Sequence, residues 1–320
     1  METVEHYYNL NDERPTALLL GNGLTRGSGG LSWNQAIIRL ATDNNVIKEF
    51  MMDPDDCEKG FKIPYTPLAL VTASTDDSER HSQYEKVFYP KEFAVSKQLK
   101  RLVSLPFSAL LTTNYTYEIE NALMEGFSQL TRSTQLKRSV NLNQKNRSDR
   151  YLIQRCNHLS PSGPQIWHIH GEVNRKSSII LTHDEYARLV SAMLTYLRVQ
   201  ENRYYNTMDH FAFLSWIDYL LVADVYILGL GLDFSEFDIW WMLGRRLREK
   251  AKVGRIVYYE HESDKTREKH LALSQAGVEV ESLGFNSQQM DDYPNTNAFY
   301  DAFYDAAICN IEKQFQREKN

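Results

Sequence analysis

The sequence predicts an α/β fold in which a parallel sheet is doubly wound, with helices on both faces. Short apolar runs alternate with longer segments of helical periodicity along most of the 320 residues. That alternation is typical of strand–helix–strand units, whose strands are parallel. With 42% hydrophobic residues the chain can bury a large core, and we treat residues 1–320 as a single domain.

Seven short runs, most of them rich in apolar residues, are predicted as the strands of this sheet. Many of them end in glycine or small polar residues, which mark strand ends. The runs cover residues 16–20, 108–113, 165–170, 178–181, 225–230, 256–259 and 278–283. Parallel strands present their carboxyl ends at one edge, where ligands bind, so the residues that follow these runs are candidates for a site.

Helices are predicted between the strands from apolar residues at three- and four-residue spacing. One begins at the capping box formed by Thr182 and Glu185. Another is expected to follow Ser235, which can cap its first turn. The remaining predicted helices cover residues 33–40, 115–125, 207–221 and 265–275, and a last one carries Phe299, Phe303, Ala307 and Ile311.

Two segments depart from this alternation. Residues 41–104 carry scattered helical patterns without a strong strand, which predicts an inserted helical module at about these bounds. Residues 131–150 hold six basic residues, one acidic residue and few large apolar ones. That composition predicts an exposed, flexible basic loop; a solvated loop is the plainer explanation, and contact with a polyanion is the alternative.

Composition argues against several functional classes. The net charge of −6 disfavours general nucleic-acid binding, so nucleic acid is expected to be engaged only indirectly. Cys57, Cys156 and Cys309 are too widely spaced for a zinc ribbon or a disulfide framework. The first residues do not form a signal peptide, and the longest apolar run is too short to span a bilayer. We therefore expect a cytoplasmic protein without a membrane contact.

Two of the predicted strands run into glycine-bearing turns. The first is GNGLTRG, residues 21–27, and the second is GLGLD, residues 229–233. Glycine lets a backbone approach a phosphate closely, and the start of the following helix favours an anion. A tight turn explains the first motif about as well, and helix capping explains Asp233. Two such turns can line one crevice of a Rossmann-like doubly wound sheet.

A polar cluster ends the strand predicted at residues 108–113. Thr112, Thr113 and Asn114 place three polar side chains at the mouth of an apolar layer. The Asn114 amide has both a donor and an acceptor, so it can hold a ribose hydroxyl or orient a water. From the residues alone, Asn114 as the cap of the next helix is the simpler explanation.

Two histidines follow in the motif WHIHG, residues 167–171. In a strand, His168 and His170 would face the same side. We favour His170 as a general base at a strand end, because imidazole titrates near neutral pH, and His168 as a core histidine. A metal set of these two with Cys156 and His158 matches no standard zinc spacing, so no metal is expected.

Taken in order, these motifs resemble the sirtuin-like domain that consumes NAD+ in bacterial anti-phage defence proteins. The matching segments are LLLGNGLTRG followed by LSW, then PFSALLTTNY, WHIHG, ILTHDEY and ILGLGLDFSEFDI, and they run from about residue 18 to residue 238. The order and spacing of the set carry the resemblance, since each segment alone is a weak signal.

The resemblance implies roles for individual residues. Asn114 would hold the nicotinamide ribose, and His170 would be the base. The implied cofactor-binding set covers the phosphate turn, the strand end, the adenosine side and, more loosely, the adenine border: Gly21, Asn22, Gly23, Thr25, Arg26, Thr113, Thr116, Gly229, Gly231, Asp233, Tyr258 and Glu260.

Two departures from true sirtuins shape the expected activity. Thr116 stands where sirtuins carry an aspartate, so recognition of the nicotinamide amide must differ. The four-cysteine zinc module of deacylating sirtuins is also absent. The resemblance therefore implies an NAD+ glycohydrolase with NAD+ as substrate, acting as an abortive-infection effector that depletes NAD+.

The resemblance also implies external control of such a hydrolase. We expect a homo-oligomer or a separate regulator such as a hexameric translocase ATPase, with residues 131–150 as a candidate contact. The alternatives are a sensor that binds NAD or a related nucleotide without cleaving it, and a zinc-independent protein deacylase or ADP-ribosyltransferase.

Overall fold

A computed structural model describes residues 7–10, 13–24, 95–125, 137–140, 151–159, 163–201, 211–234, 236–249 and 253–317. Over these residues the chain forms an α/β fold with a mostly parallel central sheet, which confirms the predicted fold class. The strands are β1 (Tyr7–Tyr8), β2 (Thr16–Leu20), β3 (Ala109–Thr112), β4 (Lys137–Val140), β5 (Arg155–His158), β6 (Gln165–His168), β7 (Phe211–Ala212), β8 (Asp224–Leu228), β9 (Ile256–Tyr259) and β10 (Glu279–Glu281).

Helices connect most of the parallel strands. They are α1 (Lys97–Val103), α2 (Glu118–Glu125), α3 (His183–Val199), α4 (Trp216–Val222), α5 (Phe237–Arg248), α6 (Arg267–Gln275) and α7 (Thr296–Arg317). Two short 3-10 helices cover Lys176–Ser178 and Ser287–Asp292. The capping box predicted at Thr182 and Glu185 is present and starts α3.

Over the residues that the structure describes, the main sheet has eight strands in the order β10-β9-β8-β2-β3-β6-β5-β4. The strands from β10 to β6 are parallel, whereas β5 and β4 extend the sheet in antiparallel fashion. The chain moves from the central β2 outward to β3 and β6, and then crosses back to β8, β9 and β10. The direction reverses between β2 and β8, which is the switch point where a Rossmann-like sheet opens a crevice at its carboxyl edge.

The core lies on both faces of the sheet because its central strand is buried on both. Every residue of β2 is buried. Ala17 and Leu19 pack on one face with α3, α4 and α5, and Leu18 and Leu20 pack on the other with α1, α2 and α7. A strand covered on both sides has no polar face to expose, which explains the uninterrupted apolar run.

Three predicted elements differ in the structure. Strand β6 ends at His168, so His170 lies in the turn that follows and not in the strand. Residues 178–181 are not a strand: a 3-10 helix ends at Ser178 and extended chain follows. The helix predicted over 207–221 is shorter, because Ser215 and Asp218 form a capping box that starts α4 at Trp216.

The two atypical segments fall mostly outside the described residues. Of the predicted insertion at 41–104, the structure describes only the part from residue 95, where α1 lies. Within the segment predicted as a basic loop, Lys137–Val140 forms β4, which pairs with β5 along its length. A polar edge strand has the same composition as a loop, so composition alone could not separate them.

Two exclusions based on composition can be compared with the described residues. No helix among them is long and apolar enough to cross a membrane. Among the described residues, Cys156 and Cys309 form no disulfide bond, and Cys57 lies outside these residues.

Candidate functional site

Asn114 and His170 lie at matching positions on neighbouring strands. Thr112 pairs with His168 at the last step of the β3–β6 ladder, and the backbone N–H of Ile169 donates to Thr112 O at 3.0 Å. Each candidate lies two residues beyond its member of that pair. The register therefore brings both to the carboxyl edge of the sheet, beside the switch point.

The turn that carries Asn114 is held by hydrogen bonds to the first glycine turn. The buried Thr112 hydroxyl donates to Leu20 O at 3.1 Å and accepts from the Asn114 N–H at 3.0 Å. The Asn114 Nδ2 reaches Gly21 O at 3.4 Å. Helix α2 begins only at Glu118. Asn114 is therefore not the cap of that helix, and the simpler explanation from the residues alone is wrong.

The two glycine turns pack directly against each other. The Gly23 N–H donates to Gly229 O at 2.8 Å. A Cβ atom on Gly21 would lie 2.4 Å from Gly229 O, and one on Gly23 would lie 2.7 Å from the Gly229 Cα. Gly229 itself has a φ of +68°. These glycines are thus required by backbone packing at the switch point, whereas a Cβ on Gly231 would meet nothing closer than 3.7 Å.

Tyr258 and Glu260, predicted at the adenine border, brace the second glycine turn. The buried Tyr258 hydroxyl donates to Leu230 O at 2.9 Å. Lys269 of α6 donates to Gly231 O at 2.5 Å and to Glu260 at 2.7 Å, and His270 lies 2.8 Å from the other Glu260 oxygen. No sequence motif indicated Lys269 and His270, because both stand in a polar helix that carries no recognisable binding or catalytic pattern.

The remaining predicted cofactor-binding positions lie near strand ends, in the second glycine turn or outside the described residues. Asn22 and Thr113 are half-buried at the ends of β2 and β3. Asp233 is exposed, and its carbonyl accepts from the Glu236 N–H at 2.9 Å and from the Trp240 indole at 3.2 Å. Two more positions, Thr25 and Arg26, lie outside the described residues, as does the predicted cap at Ser235.

His170 is buried in a cluster with two carboxylates and a tyrosine. Its Nε2 lies 3.0 Å from Asp238 Oδ2, and its Nδ1 lies 3.6 Å from Glu236 Oε2. The Tyr186 ring packs edge-on at 5.3 Å between centroids, and the Tyr186 hydroxyl is 3.5 Å from Glu236 Oε2. Asp238 is in the first turn of α5, and Glu236 is the residue before it begins. The contacts therefore tie the turn after β6 to the start of α5.

The charges of this cluster shift the pKa values of its members. Burial opposes the charged form of His170, but the charge and hydrogen bond of Asp238, with the charge of Glu236, raise the pKa of His170 above its ordinary 6.5. Burial raises the pKa of Glu236 to about 7, against the opposing effect of His170. Burial also holds the pKa of Tyr186 well above 10, so this hydroxyl remains a donor. Glu236 can therefore exchange a proton near neutral pH.

Asp238, Glu236 and Tyr186 are not among the site residues predicted from the sequence. Both acids stand in the segment FSEFDI, residues 234–239, which the resemblance had already singled out. Acidic residues at a helix start have an ordinary explanation in the helix dipole, so that spacing does not indicate contact with a histidine.

His168 has a supporting role, as the residues alone suggested. Its Nδ1 bonds to Asn114 O at 3.0 Å, and its Nε2 bonds to Glu120 Oε1 at 2.9 Å, which also accepts from Asn157 at 3.0 Å. Burial opposes the charge on His168, but the charge and hydrogen bond of Glu120 raise the pKa of His168 to about 9. This buried ion pair anchors the backbone of the turn that carries Asn114.

Thr116, the main departure from the sirtuin pattern, donates its hydroxyl to the carboxylate of Glu118. Glu118 is buried, and burial raises the pKa of this carboxyl while the Thr116 hydrogen bond opposes the rise. The Glu118 carboxylate thus lies beside Thr116. It stands two residues further along the chain than the aspartate of true sirtuins, whose position Thr116 occupies.

The four residues weighed as a metal set do not converge. His158 contacts Cys156 at 3.2 Å, while His168 is held by Glu120. Among the described residues, the group of three that brings potential ligand atoms within 4.8 Å of one another is His170 with Glu236 and Asp238. Within this group His170 Nε2 is hydrogen-bonded directly to Asp238 Oδ2, and His170 Nδ1 lies 3.6 Å from Glu236 Oε2.

Comparison with known proteins identifies the family. No curated protein matches the chain. The model of the SIR2-like domain family matches residues 108–280, from the start of β3 to β10, which is more than half of the chain. The match contains Asn114, His170 and Asp238, while the first glycine turn lies outside it and packs against Gly229 inside it. SIR2 domains use NAD+, so the site belongs to an NAD-related domain. The chain is a member of the SIR2-like domain family.

Proposed function

We propose that this protein is an NAD+ glycohydrolase that cleaves the nicotinamide–ribose bond to give nicotinamide and ADP-ribose. The observation that carries the proposal is the shared register of Asn114 and His170 on adjacent strands of a SIR2-like domain. An amide that can hold a hydroxyl and an imidazole that can accept a proton each follow a paired strand position by two residues, at the carboxyl edge of the sheet. Hydrolysis of the nicotinamide–ribose bond needs one group that holds the ribose or the attacking water and one group that accepts a proton.

The chemistry assigns each group a task. Cleavage of the bond builds positive charge on the ribose, and the protein must stabilise that charge and direct a water to the reacting carbon. Asn114 would hold a ribose hydroxyl or the attacking water. His170 would accept a proton from one of them. Since the water supplies the acceptor oxygen, neither a zinc module nor a peptide groove is required.

The proposal is tested by incubating the purified full chain with NAD+ and separating the products by chromatography. Release of equal amounts of nicotinamide and ADP-ribose supports it. Intact NAD+ together with measurable NAD+ binding would favour a sensor instead. Transfer of ADP-ribose to protein, or NAD+-dependent loss of acyl groups from an acylated peptide, would favour the transferase or deacylase alternatives.

We further propose that the activity serves anti-phage defence by depleting NAD+ in infected cells. The support is the sequence resemblance to the sirtuin-like domains of defence proteins. Cells that express the chain should lose NAD+ and yield fewer phage after infection, while cells that express His170→Ala should not. An NAD+ pool that stays constant across a panel of phages would argue against this role.

Control of a toxic hydrolase requires an off state, and we propose self-association or a separate translocase-type ATPase as the controlling element. Light scattering of the purified chain would report the oligomer. Co-purification with such an ATPase, lost on neutralising the six basic residues of 131–150, would support that segment as the contact.

A further inference from the structure

The bonding of His170 distinguishes its two ring nitrogens. Nε2 faces Asp238 Oδ2 at hydrogen-bond distance, and a carboxylate can only accept, so Nε2 carries a hydrogen. Nδ1 is 3.6 Å from Glu236, too far for a hydrogen bond in this arrangement. In neutral His170 the lone pair is therefore on Nδ1, which makes Nδ1 the nitrogen that can accept a proton.

The two carboxylates differ in exposure. The Asp238 side chain is 0% exposed, whereas that of Glu236 is 21% exposed. Asp238 Oδ1 is also buried without a hydrogen-bond partner among the described residues, whereas Oδ2 bonds to His170. Asp238 is thus a fixed anchor, and Glu236 connects the cluster to solvent.

Hydrolysis of NAD+ releases a proton that this arrangement of His170, Asp238 and Glu236 could accept. The C1′–N bond breaks with its electron pair leaving on nicotinamide, and a C1′–O bond forms to water. Nicotinamide departs neutral without taking a proton. One of the two water protons stays on the new hydroxyl, and the other must leave the site in every turnover.

We propose that Asp238 is a positioning residue that fixes His170 in its Nε2–H form, so that Nδ1 accepts the water proton, and that Glu236 passes this proton to solvent. The inference rests on the proposed hydrolase activity and adds to it the working nitrogen and the proton route. It gives Asp238 and Glu236, at the start of α5, a part in the reaction. The strand-end motifs had indicated only Asn114 and His170.

The charged groups around His170 set the direction of the pH dependence. The groups that face it are Asp238 and Glu236 at the start of α5 and Tyr186 on α3, and Asp233 adds its charge to Glu236. The acids favour the imidazolium, which cannot act as a base. Activity should therefore rise with pH as His170 loses its proton, and removing either acid should move this rise to lower pH.

The first test does not use activity. The full chain labelled with 15N-histidine is examined by NMR without ligand, with His170 assigned by comparison with His170→Gln. We expect His170 in the Nε2–H form at high pH, and a lower pKa of His170 in Asp238→Asn. An Nδ1–H form in the wild type, or an unchanged pKa of His170 in the variant, would overturn the positioning role.

The second test uses NAD+ hydrolysis across pH. We expect Asp238→Asn to lower kcat by about 10²-fold, at the low end of general-base contributions. Glu236→Gln should move the acidic limb of kcat/KM to lower pH and lower kcat less, with KM nearly unchanged. Glu249→Gln, which removes a carboxylate from the other end of α5, is the matched control and should behave as the wild type.

The outcomes separate the two proposals. A wild type that releases no nicotinamide as the purified chain, and causes no loss of NAD+ in infected cells, contradicts the hydrolase and the proton route, while the NMR result still decides the Asp238 anchor. A wild-type pH profile in Glu236→Gln, with hydrolysis intact, contradicts the proton route alone. Should Asp238→Asn fail to fold, the partly exposed Glu236 still provides the decisive variant.

Discussion

The Nε2 atom of His170 lies 3.0 Å from Oδ2 of Asp238, and this contact joins the two halves of the sheet. His170 follows β6 on one side of the switch point, and Asp238 lies in the first turn of α5, which follows β8 on the other side. The two residues are 68 positions apart in the chain. The environment of the candidate base therefore exists only when both halves are docked.

Substitution of either strand-end candidate should abolish most activity. We expect His170→Ala and Asn114→Ala each to lower kcat for NAD+ hydrolysis by at least about 10²-fold, because each removes a group that acts on the reacting atoms. Initial rates measure this, with circular dichroism to verify folding. His183→Ala, an exposed histidine at the start of α3, is the control. Full activity in either variant would remove that residue from the mechanism.

The glycines of the two turns should differ in their tolerance of a methyl group. Gly21→Ala and Gly23→Ala should lower the free energy of unfolding by about 1–3 kcal/mol, because their Cβ atoms would overlap backbone atoms of Gly229. Gly231→Ala should be tolerated, since its Cβ would meet only Asp233 at 3.7 Å. Urea unfolding measures all three. Equal losses in the three variants would contradict packing as the reason for Gly21 and Gly23.

The His168–Glu120 ion pair should give stability a specific pH dependence. The folded pKa of His168 is raised from 6.5 to about 9, so its contribution is complete below pH 6.5 and disappears as pH rises through about 9. The pKa of Glu120 is lowered below 4.5 because the charge and hydrogen bond of His168 outweigh the opposing effect of burial. The contribution of that carboxylate is therefore lost as the solution becomes acidic through its folded pKa.

This dependence can be measured against His168→Gln. The difference in unfolding free energy between wild type and variant should be largest between pH 4.5 and 6.5 and should shrink toward pH 9. Glu120→Gln should remove the same dependence, because Glu120 is the group that raises the pKa of His168. A difference that stays constant from pH 6 to 10 would show that the pair is not ionised.

The hydroxyl of Thr116 should matter for stability through Glu118. Thr116→Val leaves the buried carboxyl of Glu118 without this donor, and we expect a loss of about 1–3 kcal/mol in unfolding free energy at pH 7. Thr116→Ser keeps a hydroxyl and should lose much less. If Thr116 faces nicotinamide instead, Thr116→Val will raise KM for NAD+ and leave the unfolding free energy unchanged.

The alternation of strands and helices could be predicted because it depends on local patterns. Apolar runs such as residues 16–20 are unambiguous when a strand is covered on both faces, and the capping box at Thr182 starts a helix by itself. The ends of strands and helices were harder to predict, because there the local sequence pattern competes with tertiary contacts. Residues 165–170 (QIWHIH) read as one strand up to His170, yet the strand ends at His168, because β3 offers no ladder partner beyond Thr112.

The amino-acid sequence was enough to predict the fold class, the SIR2-like motifs and the place of Asn114 after a buried strand and of His170 near a strand end, because these follow from periodicity and from the order of short motifs. The partners of those residues are visible only in the folded chain. There His168 pairs with Glu120, while Asp238 and Glu236 surround His170. The fold also shows that the glycines of the first turn are needed for its contact with the second. The physical reason is that the His170 cluster and the glycine contact join elements from opposite sides of the switch point, and no local pattern encodes a distance across the sheet.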